Sequence, residues 1–236
     1  MTAPGSGIAE RLQDIRDRIA RAAARAGRDP SSVSLLAVSK GQPVGRVREA
    51  AAAGQQIFGE NRVQEGIGKI EALQGELPQV VWKLIGPLQT NKAKAALQYF
   101  STVESLDRER LALRLESLLA ETGRTLPVLL EINLASEATK SGVLTNEAEN
   151  LAAACLALPH LDVRGLMAVP PYAEDPDASR PHFRRLRETR DRLAERFGRE
   201  MPELSMGMSH DFEVAVEEGS TEVRIGTALF GARETA

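Results

Sequence analysis

Several things are scarce in this sequence. It has one cysteine, Cys155, which excludes an intrachain disulfide. That thiol falls in a helical apolar pattern (Leu151, Ala154, Cys155, Leu158) and fits a reducing, cytoplasmic setting. Three histidines and one cysteine, widely scattered, make no zinc site, so no metal is expected. No apolar run approaches the length of a membrane span. The first residues, Met1-Thr2-Ala3-Pro4-Gly5-Ser6-Gly7, have neither the basic nor the apolar region of a secretory signal. Positive charge is not in excess: the formal net charge is −3, which argues against a general nucleic-acid or membrane-surface binder. Lysine is the most telling scarcity, with 6 lysines against 24 arginines. A chain that uses arginine for ordinary surface charge draws attention to Lys40, Lys69, Lys83, Lys92, Lys94 and Lys140. The chemistry open to lysine and closed to arginine is imine formation with a carbonyl.

What is present is enough for a sizeable core: 236 residues, 42% of them hydrophobic. Residues 7–26 read as an amphipathic helix with Ile8, Leu12, Ile15 and Ile19 on one face. Short apolar runs then alternate with longer helical patterns. Strands are predicted at 33–39, 56–58, 80–85, 100–103, 127–132, 163–169, 203–208 and 222–226. Helices are predicted at about 43–53, 60–75, 88–98, 107–122, 145–158, 179–198 and 210–218, with a short one from Thr227. Eight strand–helix units behind a leading helix imply parallel pairing with right-handed crossovers and a small (β/α)8 barrel. An open doubly wound sheet is the structural alternative, but the first turn, Ser39-Lys40-Gly41-Gln42, has no G-x-G-x-x-G. No linker divides the chain, so one domain over 1–236 is expected. Pro170-Pro171 and the acidic stretch to Asp177 read as one long loop, a lid or a plain insertion.

Unusual polar residues cluster just after the strands, where a barrel gathers them at one mouth. Lys40 ends the first strand, Ser34-Leu35-Leu36-Ala37-Val38-Ser39-Lys40, where a core opens to solvent and an amine is desolvated. It is either a solvated strand-end lysine or an imine-forming one. Ser209 and Gly226-Thr227 follow the seventh and eighth strands, the usual phosphate pocket of such barrels. Alternatively Ser209 caps the helix beginning at Asp211 and Gly226 is a turn. A lysine facing a phosphate cradle suggests a phosphorylated aldehyde, and pyridoxal 5′-phosphate is the obvious candidate. Arg224 would then lie near the pyridine ring, where donation to the ring nitrogen disfavours ring protonation and weakens the electron sink. A structural ion pair with Glu222 or Glu60 is the plainer reading of Arg224.

Longer segments carry a family resemblance: Leu36–Lys40, Phe58–Glu65, Trp82–Lys92, Lys140–Val143, Gly165–Met167, Leu204–Ser209, and Gly219–Thr227 through Phe230-Gly231. Across nearly the whole chain and in order, they resemble the YggS/PROSC family of pyridoxal phosphate homeostasis proteins. The resemblance implies an alanine-racemase-like barrel with the cofactor held as an imine on Lys40. It also implies that Asn61, Ser209, Arg224, Gly226 and Thr227 line the cofactor site. Lys83 departs from the family, which more often has His or another residue after the tryptophan, and His210 is assigned no role. The barrel enzymes of this type carry a second, largely β domain, for which the ten or so residues after the eighth strand leave no room. Of the two tyrosines, Tyr99 and Tyr172, neither sits in a motif that marks a base. The expectation is a monomeric holder that buffers pyridoxal phosphate and delivers it to apo pyridoxal-phosphate enzymes, without robust turnover. The alternative is an enzyme acting on amino acids, such as a weak racemase. A third reading, a docking scaffold built on the arginines of 184–192, competes with a plain salt-bridged face, which the interleaved Glu188, Asp191 and Glu195 favour. Lys140, in the loop Ser136–Gly142, is a secondary candidate for transient capture during transfer, set against a turn lysine paired with Glu137.

Overall fold

The computed structural model describes residues 7–135 and 141–231. Its strands are β1 (Ser34–Val38), β2 (Ile57–Glu60), β3 (Val81–Leu84), β4 (Thr102–Leu106), β5 (Leu126–Asn133), β6 (Val143–Leu144), β7 (Leu161–Met167), β8 (Glu203–Met208) and β9 (Glu222–Ile225). Its helices are α1 (Ile8–Arg25), α2 (Val44–Ala52), α3 (Val63–Leu73), α4 (Ala93–Tyr99), α5 (Glu109–Ala120), α6 (Ala148–Leu156), α7 (Arg180–Phe197), α8 (Phe212–Glu217) and α9 (Thr227–Phe230). All strand pairs are parallel. The order β4-β3-β2-β1-β9-β8-β7-β5 closes on itself through β4–β5, and a helix follows each of the eight strands. The result is the expected (β/α)8 barrel. The extra strand β6 pairs with Ile132 and Asn133, continuing the β5 ladder past Glu131, where β7 leaves it.

The strands form where both faces are covered. All of β4 and β9 is buried, and all of β5 except Pro127, because the barrel interior lies on one side and helices on the other. That double burial explains the shifted fourth strand, predicted at 100–103 and found at Thr102–Leu106. Glu104 and Ser105 look like loop residues but face polar partners inside the protein. Helix α1 buries Ile8, Leu12, Ile15 and Ile19 and packs against α2, α8 and α9. Arg11 Nε donates to Leu229 O at 2.6 Å, and the Arg18 guanidinium lies 4.5 Å from the Phe212 ring centre. The leading helix is thereby tied to the last two barrel units.

The barrel interior carries an ion network rather than an apolar filling. Lys83 Nζ lies 2.6 Å from Glu222 Oε2 and 3.2 Å from Glu104 Oε1. Ser205 Oγ donates to Glu104 Oε2 at 2.7 Å and accepts from Arg224 Nη1 at 2.8 Å. Burial alone would lower the Lys83 amine, but Glu104 and Glu222 overcome it and hold the amine above its ordinary value. Burial and the neighbouring Glu104 push Glu222 well above the usual carboxylate range. Glu104 ends below that range despite its own burial, because Lys83, Glu222, Ser205 and Arg224 favour its charged form. Of the two carboxyls, Glu222 is therefore the more readily protonated.

Cys155 is buried, and burial pushes its thiol up to about 12. Of the arginines of α7, Arg180, Arg184, Arg187, Arg190 and Arg196 are met by carboxylates, Arg184 by Glu218 at 3.1 Å and Arg196 by Glu149 at 3.1 Å, which makes most of this face salt-bridged. Among the described residues no helix is long and apolar enough to cross a membrane, and no cluster could hold a metal. Lys140 lies outside the described residues. Its neighbour Ser141 donates from Oγ to the buried Glu131 Oε1 at 2.6 Å, which fixes that end of the loop against β5.

Candidate functional site

The C-terminal ends of the strands surround a cavity of about 290 Å³, at the small end of the range for ligand sites, roughly 300–1,000 Å³. Lys40, Asn61, Ser209, Arg224, Gly226 and Thr227 all line it. They come from the ends of four different strands, β1, β2, β8 and β9, and the loops after them, so barrel closure alone brings them together. Val38, Ile85, Val169 and Met208 supply apolar wall, and His210 stands at the edge. A wider depression of about 440 Å³ opens at the other end of the barrel, beside Val33 and Ile57, but no lysine lines it.

One side of the cavity is the β1–α2 turn. Gln42 N–H donates to Ser39 O at 3.0 Å and Gly41 has φ +70°, so Lys40 stands at the tip of a tight turn that glycine makes possible. The Lys40 side chain is half-buried. Asn61 follows β2. Its Oδ1 is buried and has no hydrogen-bond partner within the protein. A β-carbon on Gly86 would lie 2.3 Å from Asn61 O, so only glycine lets the loop after β3 press against Asn61. Ser105 Oγ, donating to Gly86 O at 2.6 Å, holds that loop in place.

The opposite side is built by β8 and β9. Gly226 N–H and Ala228 N–H both donate to Ser209 Oγ, each at 3.2 Å. Two backbone donors at the start of α9 thus converge on one oxygen, the arrangement that suits an anion. Ser209 does not cap α8: Asp211 occupies that position and accepts from Met208 N–H at 2.7 Å. A β-carbon on Gly226 would meet Val38 at 3.6 Å, an ordinary contact, so glycine is not required there by crowding within the protein.

Arg224 forms the floor and is only 4% exposed. Its Nη1 donates to Ser205 Oγ and its Nη2 to Ala168 O, each at 2.8 Å. It makes no ion pair with Glu222 or Glu60: Glu222 is taken by Lys83, and Glu60 by Lys69 at 2.7 Å. Burial pulls Arg224 below its ordinary value, partly offset by Glu104, Glu222, Glu131 and Asp211. The guanidinium remains a cation with further N–H donors to offer.

Two groups were not identified as functional from the sequence. Lys69 falls in the buried stripe of α3 (Val63, Gly66, Lys69, Ile70, Leu73), a placement that marks a lysine as engaged. His210 Nε2 lies 3.0 Å from Glu174 O, and its ring is 5.6 Å from that of Tyr172, so the long loop after β7 is tethered at the rim. Tyr172 is 79% exposed, and Tyr99 lies on the outer surface with its hydroxyl 2.6 Å from Glu71. Neither tyrosine lines the cavity.

The buried, unpartnered Asn61 Oδ1, the converging N–H groups and the lysine suit a small phosphorylated carbonyl compound such as pyridoxal 5′-phosphate. Comparison with known proteins agrees with this chemistry. The family described as alanine racemase, N-terminal domain, matches residues 11–234. The pyridoxal phosphate homeostasis protein of Aquifex aeolicus is 45% identical over 225 residues, spanning 95% of this chain and 98% of that protein. Its counterpart in Pseudomonas aeruginosa is 46% identical over 229 residues, spanning 97% of each. The structure of PipY of Synechococcus elongatus with pyridoxal phosphate bound superposes with a TM-score of 0.84 at 37% identity, covering 95% of this chain and all of that one. By the extent of these matches, the chain belongs to the alanine racemase N-terminal-domain family and, within it, to the pyridoxal phosphate homeostasis proteins.

Proposed function

We propose that this protein binds pyridoxal 5′-phosphate at the barrel mouth through Lys40, buffers it, and releases it to apo enzymes that require it. The observation that carries the reading is the convergence of an amine, an unpartnered buried acceptor and a pair of backbone N–H donors on one cavity. Bound there, the cofactor supplies an aldehyde that combines reversibly with amines. Lys40 offers the amine. Ser209, Thr227 and the N–H groups of Gly226 and Ala228 hold the phosphate, and Asn61 orients the ring. Arg224, a cation on the floor, keeps the ring nitrogen unprotonated, because a second positive charge beside it is unfavourable. That leaves the ring a weak electron sink. No tyrosine stands in the cavity wall as a proton donor or acceptor, which favours holding over turnover.

The reading is tested by loading the purified protein with the cofactor and mixing it with an apo transaminase. Recovery of transaminase activity, with no conversion of defined amino acids by the loaded protein alone, is the expected result. Sustained racemisation or decarboxylation that disappears in Lys40→Ala would instead make the protein an enzyme.

The phosphate assignment has its own test. Removing a hydroxyl that contacts a charged group costs about 1.5–3 kcal/mol. Ser209→Ala and Thr227→Val are each expected to weaken pyridoxal phosphate binding by that amount, read by titration, with a much smaller effect on unphosphorylated pyridoxal. Equal losses for the two ligands would remove both residues from phosphate recognition.

A further inference from the structure

The lysine at the mouth is flanked by residues that a second, buried lysine holds. Lys69, on α3, is 6% exposed. Its Nζ reaches three acceptors: Ser39 O at 2.5 Å, Glu60 Oε1 at 2.7 Å and Glu65 Oε1 at 2.8 Å. These match the three donors of an ammonium group. Glu60 Oε1 also accepts from Ser39 Oγ at 2.6 Å, and Glu65 Oε1 also accepts from Gly41 N–H at 2.5 Å. Ser39 N–H is itself bonded to Gly59 O at 3.1 Å. The residue before Lys40 is therefore fixed through its N–H, its carbonyl and its hydroxyl, and the residue after it through its N–H. All of these tethers but one end on the Glu60–Lys69–Glu65 cluster.

The cluster does not touch the cavity: none of Glu60, Glu65 and Lys69 lines it. It sits behind the turn, with Glu60 wholly buried and its Oε2 left without a partner. Burial is the larger influence on Glu60 and raises it above the ordinary carboxylate value, while Lys69 and Ser39 act the other way. Burying a carboxylate and an amine, Glu60 and Lys69, is costly unless they are paired. What the arrangement does is fix the backbone on both sides of Lys40. A free lysine side chain loses up to about 2 kcal/mol of conformational entropy when ordered, and an anchored Cα confines the positions its amine can reach.

We propose that Lys69, acting with Glu60 and Glu65, is the positioning residue for the Lys40 amine. It holds the Ser39–Gly41 turn in the conformation that directs Lys40 into the cavity, and its own amine, saturated by three acceptors, does not compete for the aldehyde. This inference rests on the reading of the cavity as a pyridoxal phosphate site. Attachment joins the Lys40 nitrogen to the aldehyde carbon. The carbonyl oxygen leaves as water with the two amine protons, and no oxidant or reductant takes part.

The test separates attachment from simple binding. Glu65 is half-buried, so Glu65→Ala is the mild variant; Lys69→Met is the severe one, and Glu65→Gln keeps an acceptor for Gly41 N–H. Two quantities are measured for each: the equilibrium constant for covalent attachment of pyridoxal phosphate, from absorbance and borohydride trapping, and the dissociation constant for pyridoxine 5′-phosphate, which has no aldehyde. Glu65→Ala is expected to lower attachment about tenfold, the effect of losing the charge-assisted hydrogen bond that holds Gly41 N–H. Pyridoxine phosphate affinity should stay within about twofold, and Glu65→Gln should restore most of the loss. Equal losses for both ligands would show a merely structural cluster, and no loss for either would show that the turn holds itself; each overturns the inference. Trapping on Lys40 in the wild type together with unchanged attachment in Glu65→Ala defeats the positioning role alone. Absence of trapping on Lys40 in the wild type defeats the cofactor reading and this inference with it.

Discussion

Replacing Lys40 with alanine is expected to abolish trappable attachment of pyridoxal phosphate while leaving the fold intact. Lys40 is half-buried at the tip of a turn held through Ser39 and Gly41 on either side of it, so truncating its side chain opens no core cavity. The other two lysines held inside the protein are poor substitutes. Lys69 is bound by three acceptors on the far side of the turn. Lys83 is held between Glu222 and Glu104 as an ammonium with a raised pKa, and only a neutral amine attacks a carbonyl. The variant should retain phosphate-dependent binding, seen as displacement by pyridoxine phosphate, without the imine absorbance band. Borohydride label surviving in the variant at Lys140 would assign that residue the capture role. Label at Lys69 or Lys83 would contradict the ion-pair argument.

The second large effect is expected at Lys83, and it concerns stability. Lys83→Met leaves Glu104 and Glu222 facing each other inside the barrel with no ammonium between them. Removing one partner from a buried ionic cluster costs about 3–5 kcal/mol. For a chain of this size that lowers Tm by roughly 6–20 °C. The loss should depend on pH. A buried carboxyl whose folded-state pKa is raised stabilises the fold in its protonated form. That contribution is complete below the unfolded-state value of about 4.3 and disappears as the pH rises through the folded-state value. Without Lys83 both carboxyls move in the raised direction, so the deficit against wild type should shrink as the pH falls below neutral. Adding Glu222→Gln to Lys83→Met should recover part of the loss. A variant within about 0.5 kcal/mol of wild type at neutral pH would mean the interior pair is not offset by Lys83.

The same network changes how Arg224 can be probed. A glutamate at 224 would add a carboxyl beside Glu104, Glu222 and Glu131 in a position that is 4% exposed, so unfolding would mask any change in the ring nitrogen. Arg224→Gln keeps donors without the charge and is the cleaner probe of ring protonation.

The barrel is legible in the sequence because its strands are buried on both faces and punctuated by helices of clear period. Ile8, Leu12, Ile15 and Ile19 announce α1 in the same way. The cavity residues are legible because barrel topology brings the strand ends to one mouth, so Lys40, Ser209 and Gly226 converge without any contact being known in advance. What is not legible is polar burial. Glu60, Glu104 and Glu222 resemble ordinary surface carboxylates, and only their partners, 9, 21 and 139 positions away in the cases of Lys69, Lys83 and Lys83 again, reveal them as interior. For that reason the strands predicted at 56–58 and 100–103 stop two and three residues short of the ends of Ile57–Glu60 and Thr102–Leu106. The positions of Lys69 and Lys83 could have been suspected from the rarity of lysine, but their pairing could not.

The central claim is that the cavity at the strand ends holds pyridoxal phosphate on Lys40. Its most direct measurement is borohydride reduction of the cofactor-loaded protein, followed by proteolysis and mass-spectrometric mapping of the pyridoxyl group. The account predicts a single dominant site, Lys40. A pyridoxyl group found mainly on any other lysine, or a loaded protein that borohydride leaves unlabelled, would contradict it.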